Sequence, residues 1–209
     1  MNLFDRFCQF APLTAGAILL CFSLAAAADD IQDANKLFKQ GLYSESMDKV
    51  NAILASKPGS TLDAQARFLK GLILTEQGKD DDAINIFSGL TEDYPDLPEP
   101  YNNLAVLYAG QGKYDKAKSA LKMAIRTHPG YATAHENLGD IYTKMASLEY
   151  QRAQELDPNN TNLQTKLAMI KQLLPKNIVH LPPPAPATNG TAAPATNDAT
   201  APATPAAKP

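Results

Sequence analysis

Tryptophan is absent from the 209 residues, and cysteine occurs only twice, at Cys8 and Cys21. A chain that begins after those two positions has no disulfide, no thiolate metal site and no cysteine nucleophile. Histidine is nearly as scarce, and His128, His135 and His180 offer little for metal binding or general-base chemistry. No sign of charge dominates: 19 Lys+Arg against 22 Asp+Glu leave a net charge of −3, which is not the basic footprint that nucleic-acid binding needs. With 44% apolar and 20% charged residues, the chain is also too polar for a multi-span membrane protein. Catalytic patterns are missing too. There is no G-x-S-x-G and no G-x-x-x-x-G-K-[ST], and His135-Glu136 lacks the second histidine of H-E-x-x-H. These absences point away from an enzyme, and no cofactor or metal is expected.

What is present begins with two unusual ends. From Phe7 to Ala28 no residue is charged, and the apolar block at 15–24 has the length of a signal-peptide core. Ala26-Ala27-Ala28 followed by Asp29-Asp30 reads as a cleavage site, which makes 1–28 a secretory signal and predicts a mature protein starting at Asp29. The competing possibility is an uncleaved membrane anchor over 7–28. A lipoprotein signal is excluded because Leu20 precedes Cys21 where a small residue is required. At the other end, the stretch from Leu181 to Pro209 is built mostly of Pro, Ala and Thr. Proline removes backbone donors and blocks helices, and little apolar bulk offsets the cost of ordering, so 176–209 is expected to be a disordered tail.

The region between, 29–175, contains a repeat. Gly71, Ala83, Phe87, Leu90 and Pro95 recur as Ala105, Ala117, Leu121, Ala124 and Pro129, all at one constant displacement along the chain. A fixed period of this size announces a stacked array of similar units. The best-preserved unit runs from Pro98 to Tyr131. Its Tyr101, Leu104-Ala105, Tyr108, Ala117, Leu121, Ala124 and Pro129 fall in the order of a tetratricopeptide repeat, the family that this region resembles. The small alanines let two antiparallel helices approach, the larger residues fill the space beside them, and Gly110 and Gly112 bracket the turn.

The resemblance implies an all-α solenoid of antiparallel helix pairs with a C-terminal capping helix. Its units are about 29–60, 64–97, 98–131 and 132–160, with the cap over 161–174. Departures from the family pattern are Ser46 at a packing-alanine slot, Arg67 at the aromatic slot and Lys70 at the Leu slot. Three extra residues are placed in a Gly59-Ser60-Thr61 linker. In the fourth unit, His135, Leu138-Gly139 and Tyr142 match a first helix, but Pro158 follows Pro129 sooner than Pro129 follows Pro95. The turn is missing, which predicts one continuous helix from about Ala132 to Leu156. Leu138, Tyr142, Met145, Leu148, Ala153 and Leu156 would be its apolar contacts, and Leu163, Leu167, Ile170, Leu173 and Leu174 those of the cap.

Family likeness further implies a protein-binding or peptide-binding scaffold of the exported bacterial type, with a partner in the cell envelope and no chemistry of its own. The first helices of successive units would line a concave groove. Projection of the helical period places Asn35 and Phe38, Phe68 and Leu72, Asn102 and Val106, and Glu136 and Asp140 along it, with Ile31 at its apolar N-terminal end. Phe68 and Leu72 are equally compatible with packing against a neighbouring helix. The groove would turn acidic towards the fourth unit. The alternative function is a structural envelope element that associates with wall polymer through its tail or through a basic run, Lys113, Lys116, Lys118, Lys122 and Arg126. No nucleic-acid partner is expected, the location would be periplasmic, and membrane contact would come only through an uncleaved 7–28. Asp80-Asp81-Asp82 lacks the alternating ligands of a calcium loop and reads as a helix start. Of His128 and His135, one is expected to pack between helices and the other to lie on the surface.

Overall fold

A computed structural model describes residues 30–173. The segments expected to be a signal or anchor (1–28) and a tail (176–209) lie outside the described residues, as do Asp29, Leu174 and Pro175. Helix α1 occupies 30–39, followed by α2 (Tyr43–Ala55), α3 (Ser60–Glu76), α4 (Asp80–Asp93), α5 (Pro98–Gly110), α6 (Tyr114–Thr127), α7 (Ala132–Leu156) and α8 (Thr161–Leu173). No strand occurs among the described residues. From α2 onward each helix packs on the next, and α5 also touches α7, so the fold is the all-α solenoid expected from the repeat.

Three glycines make the hairpins. Gly41, Gly78 and Gly112 have φ of 76°, 69° and 72°, the left-handed region that only glycine enters without strain. Each sits one residue before a closing bond back to the preceding helix: Leu42 N to Leu37 O, Lys79 N to Leu74 O and Lys113 N to Tyr108 O, at 3.0, 2.9 and 2.8 Å. These bonds satisfy carbonyls that the helix end leaves free. One repeat period beyond Gly112 stands Ala146, which continues as helix inside α7. With neither the glycine nor the loop length for a turn, α7 runs unbroken for 25 residues, as expected from the shortened unit.

Of the three residues expected in the linker, only Gly59 lies outside a helix, at the extended position before α3. Ser60 and Thr61 already belong to α3, which has 17 residues where α5 has 13. Pro98 fixes the start of α5 because it cannot donate to an earlier turn, whereas nothing of the kind stops α3 from beginning at Ser60. Asp80, Asp81 and Asp82 form the first turn of α4, but the helix is entered through Lys79 with no side-chain cap bond. The acids therefore act on the helix dipole and do not cap it.

The core follows the repeat positions. Ala83, Phe87, Leu90, Ala117, Leu121 and Ala124 are fully buried, and the neighbouring small positions Ala34, Gly71 and Ala105 are buried with them. Burying a side chain such as Phe87 stabilises by roughly 1.5–3 kcal/mol. The departures are accommodated locally. Ser46 is buried, and its hydroxyl donates to the Ala34 carbonyl of α1 at 2.8 Å, so the polar atom is satisfied. Arg67 reaches across to α4, where its Nη1 contacts Asp93 at 2.6 Å, with Asp63 of its own helix at 3.4 Å. Burial opposes the Arg67 charge, yet the hydrogen bonds to Asp93 and Asp63 outweigh it and raise the guanidinium pKa. Lys70 points away from the core and donates to Asn51 of α2 at 3.0 Å.

Along α7 only part of the expected face is covered: Leu138 and Met145 are half-buried and pack on the main core, and Ala153 is half-buried. Ala134, Asn137, Ile141 and Ser147 are buried; Tyr142, Leu148 and Leu156 are exposed, and Leu156 is 89% so. The first half of the helix packs on α6 and the second on α8. Ile141 and Ser147, six residues apart, lie roughly 120° from one another around the helix, so the buried side turns along its length. In α8 only Leu167 is fully buried, and Leu173 is exposed.

Candidate partner-binding groove

The first helices of the pairs, α1, α3 and α5, together with the first half of α7, carry every residue expected in the groove. At the N-terminal end one of the expected apolar residues does not reach the surface. Ile31 is buried in the core, and an open depression on one face of α1 is lined by Gln32, Asn35, Lys36, Lys39 and Gln40. Asn35 is half-buried and donates to the Ile31 carbonyl at 2.9 Å. Phe38, also half-buried, packs with Tyr43 at a ring separation of 5.7 Å.

In α3, Phe68 and Leu72 both pack on the main core while remaining half-exposed. The Phe68 ring meets Phe87 edge-on at 5.6 Å. One side of each residue therefore belongs to the core and the other to the surface. Val106 of α5 is likewise half-buried.

Asn102 departs most from expectation. It is 1% exposed, and its Oδ1 accepts a 2.7 Å hydrogen bond from Nδ2 of Asn137 on α7. An amide held inside the α5–α7 contact is not free to hold a ligand backbone, so Asn102 joins the repeats instead. Asn137 escaped the sequence reading, although its distance of 35 residues from Asn102, one more than the repeat period, was a signal that two adjacent helices place the pair together. The Asn137 Oδ1 is buried without a partner, and so is the Tyr131 hydroxyl. Burial, with the Glu99 charge added, pushes the Tyr131 phenol up to about 12.

On the same helix as Asn137, Glu136 is exposed and Asp140 half-buried one turn later. Burial, and then the Glu136 charge, raises the Asp140 pKa. Neither carboxylate has an ion pair among the described residues. On α6, Lys118 pairs with Asp115 at 2.7 Å and Lys116 lies 5.5 Å from the Tyr108 ring centre. Lys122 and Arg126 are exposed. His128 and His135 are both exposed, so neither packs between helices; His135 Nε2 lies 3.0 Å from the Pro129 carbonyl. Among the described residues no cluster of three or more His, Cys, Asp or Glu is placed to hold a metal, and no helix is long and apolar enough to cross a membrane.

Family models described as tetratricopeptide repeat match residues 65–97 and 102–161. The chain is 40% identical over 73 residues to the chloroplastic tetratricopeptide repeat domain-containing protein PYG7 of Arabidopsis thaliana, a match covering 32% of this chain and 24% of that protein. It is 24% identical over 172 residues to human tetratricopeptide repeat protein 16, covering 74% of this chain and 19% of the relative. The chain thus spans about a quarter or less of the length of these relatives. Among solved structures, a tetratricopeptide repeat protein from Parabacteroides merdae superposes with a TM-score of 0.53 at 16% identity, over 71% of this chain and 60% of that one. The MamA protein superposes at 0.50 and 18% identity, over 70% and 81%. Both likenesses concern the fold. Proteins of this repeat type commonly serve as interaction scaffolds and are typically non-catalytic. Period, turn glycines, helix pairing and family models agree that the chain is a tetratricopeptide repeat protein.

Proposed function

We propose that the chain is an exported scaffold or adaptor of a bacterial cell envelope, whose repeat domain at 29–175 holds a protein or peptide partner along the first helices of its units. A cleaved signal at 1–28 would place it in the periplasm, with retention of 7–28 as a membrane anchor the other possibility, and the tail at 176–209 would extend from the domain. The observation that carries the binding reading is the Glu136–Asp140 pair. Two carboxylates one turn apart, one of them with a raised pKa, are left without a cation among the described residues. Half-exposed Phe68, Leu72 and Val106 supply apolar contact on the preceding first helices. A segment combining Lys or Arg with an apolar anchor fits that sequence of surfaces.

The test is fluorescence anisotropy against basic, neutral and acidic peptides with apolar residues in common. Preference for the basic set, lost in Glu136→Lys and weakened in Phe68→Ala, supports the reading; equal binding of all three sets removes it. Lys122 and Arg126 favour a second reading, in which the outer face of α6 meets an anionic wall polymer. In that case Lys122→Glu abolishes retention on isolated wall material and Glu136→Lys does not.

A further inference from the structure

Helix α8 has 13 residues and α7 has 25, so the cap covers only part of the helix it packs on. The short turn at 157–160 sends α8 back antiparallel to α7. Lys166 of α8 lies 5.4 Å from the Tyr150 ring centre, which fixes how the two helices align. Leu173 is as far along α8 from Lys166 as Thr143 is back along α7 from Tyr150, so the cap ends about level with Thr143. The side of α7 that carries Tyr150 and Thr143 goes on past that point, because Gly139, Asp140 and Glu136 follow at helical spacing. Glu136 and Gly139 are exposed, and a Cβ built on Gly139 meets nothing within 4 Å. The strip along which α8 packs is therefore open where α8 stops.

The sequence that follows suits this strip. Leu174-Pro175 cannot prolong α8, because proline lacks the donor and disfavours helix at the residue before it. Next come Lys176, Asn177, Ile178 and Val179, which lie outside the described residues. From Leu173, three extended residues reach about 10 Å, while Asp140 and Glu136 lie roughly 5 and 10 Å beyond Thr143 along α7. The span brings a lysine at 176 to either carboxylate. Neither has an ion pair among the described residues, not even with Lys144, one turn from Asp140 on the same helix. Lys176 with Ile178 and Val179 close behind it is also a cation beside apolar side chains, the combination that the groove is read above to accept.

We infer that the chain beyond α8 continues along the open strip of α7 with Lys176 on Glu136 and Asp140, so that the protein's own residues 176–179 occupy the acidic end of the groove until a partner displaces them. The contact follows from where α8 ends and from the charges on either side. The competition, unlike the contact, rests on the groove reading above.

A water-soluble carbodiimide, which joins an ammonium to a carboxylate only where the two touch, tests the contact without any partner. In the full chain it should link Lys176 to Glu136 or Asp140, and mass spectrometry of a mixture of isotopically light and heavy chains should show the link within single copies. Its yield should fall as salt rises. Lys176 linked mainly to other carboxylates, linked between copies or not linked at all would overturn the inference, whatever any peptide does. Freed of its own occupant, the groove of Lys176→Gln should bind a basic peptide about threefold or more tighter, whereas Lys171→Gln, which removes an exposed charge from the end of α8, should change the affinity clearly less. Equal effects of the two variants would reduce the tail to diffuse electrostatics and overturn the competition. The link to Glu136 or Asp140 together with no peptide binding in any variant would uphold the contact and remove the groove reading instead.

Discussion

A Cβ on Gly71 would lie 2.6 Å from the ring of Phe87, and the ring has no accessible surface through which to retreat. Helices α3 and α4 are thus in contact through the absence of a side chain. Gly71→Ala should destabilise the domain by about 1–3 kcal/mol, despite the better helix propensity of alanine, since forced overpacking outweighs the roughly 1 kcal/mol gained along the helix. Urea denaturation measures the difference, and adding Phe87→Leu should recover part of it.

Gly89 offers the contrasting case. Its built Cβ would come within 2.7 Å of an atom, but that atom is the tip of Arg67. A guanidinium can swing aside at the expense of its contact with Asp93, a carboxylate whose side chain is 58% exposed. Such pairs contribute about 1 kcal/mol or less, comparable with the propensity gain of alanine in a helix. Gly89→Ala should leave the urea midpoint nearly unchanged. A loss as large as that of Gly71→Ala would show that Arg67 is held rigidly.

The bond between Asn102 and Asn137 predicts a non-additive pair. Asn102→Ala leaves the buried Asn137 amide with neither atom satisfied and should cost about 1–3 kcal/mol. Replacing both residues by leucine removes the unmet polar atoms together and should cost less than the single change, as a double-mutant cycle will measure.

Asp140 gives a pH dependence with a defined sign. Its pKa is raised in the fold, so the folded chain holds this proton more tightly than the unfolded one, and stability declines as pH rises from the ordinary 3.8 through the raised value. The difference in thermal midpoint between the wild type and Asp140→Asn should therefore widen against the wild type across that window. Affinity for a basic peptide should run the other way and increase with pH, because only the ionised carboxylate attracts the cation. Binding that is flat over the same window would place the peptide elsewhere.

The amino-acid sequence by itself determined the local architecture. Period, turn glycines and closing prolines act through backbone dihedrals and chain length, which a run of residues carries without help from its surroundings. The missing turn was legible for the same reason, since Ala146 and the short spacing to Pro158 leave α7 no way to reverse. The tertiary structure decided which side of each helix is covered. Leu148 and Leu156 are as apolar as Leu121, yet they are exposed because none of the helices packed on α7 covers them. Asn102 has the chemistry of a ligand-binding residue and becomes a buried link only because α7 brings Asn137 to 2.7 Å from it. A repeat fixes its helices one at a time, whereas burial depends on the direction from which each neighbour arrives, and that direction is not encoded in any single segment.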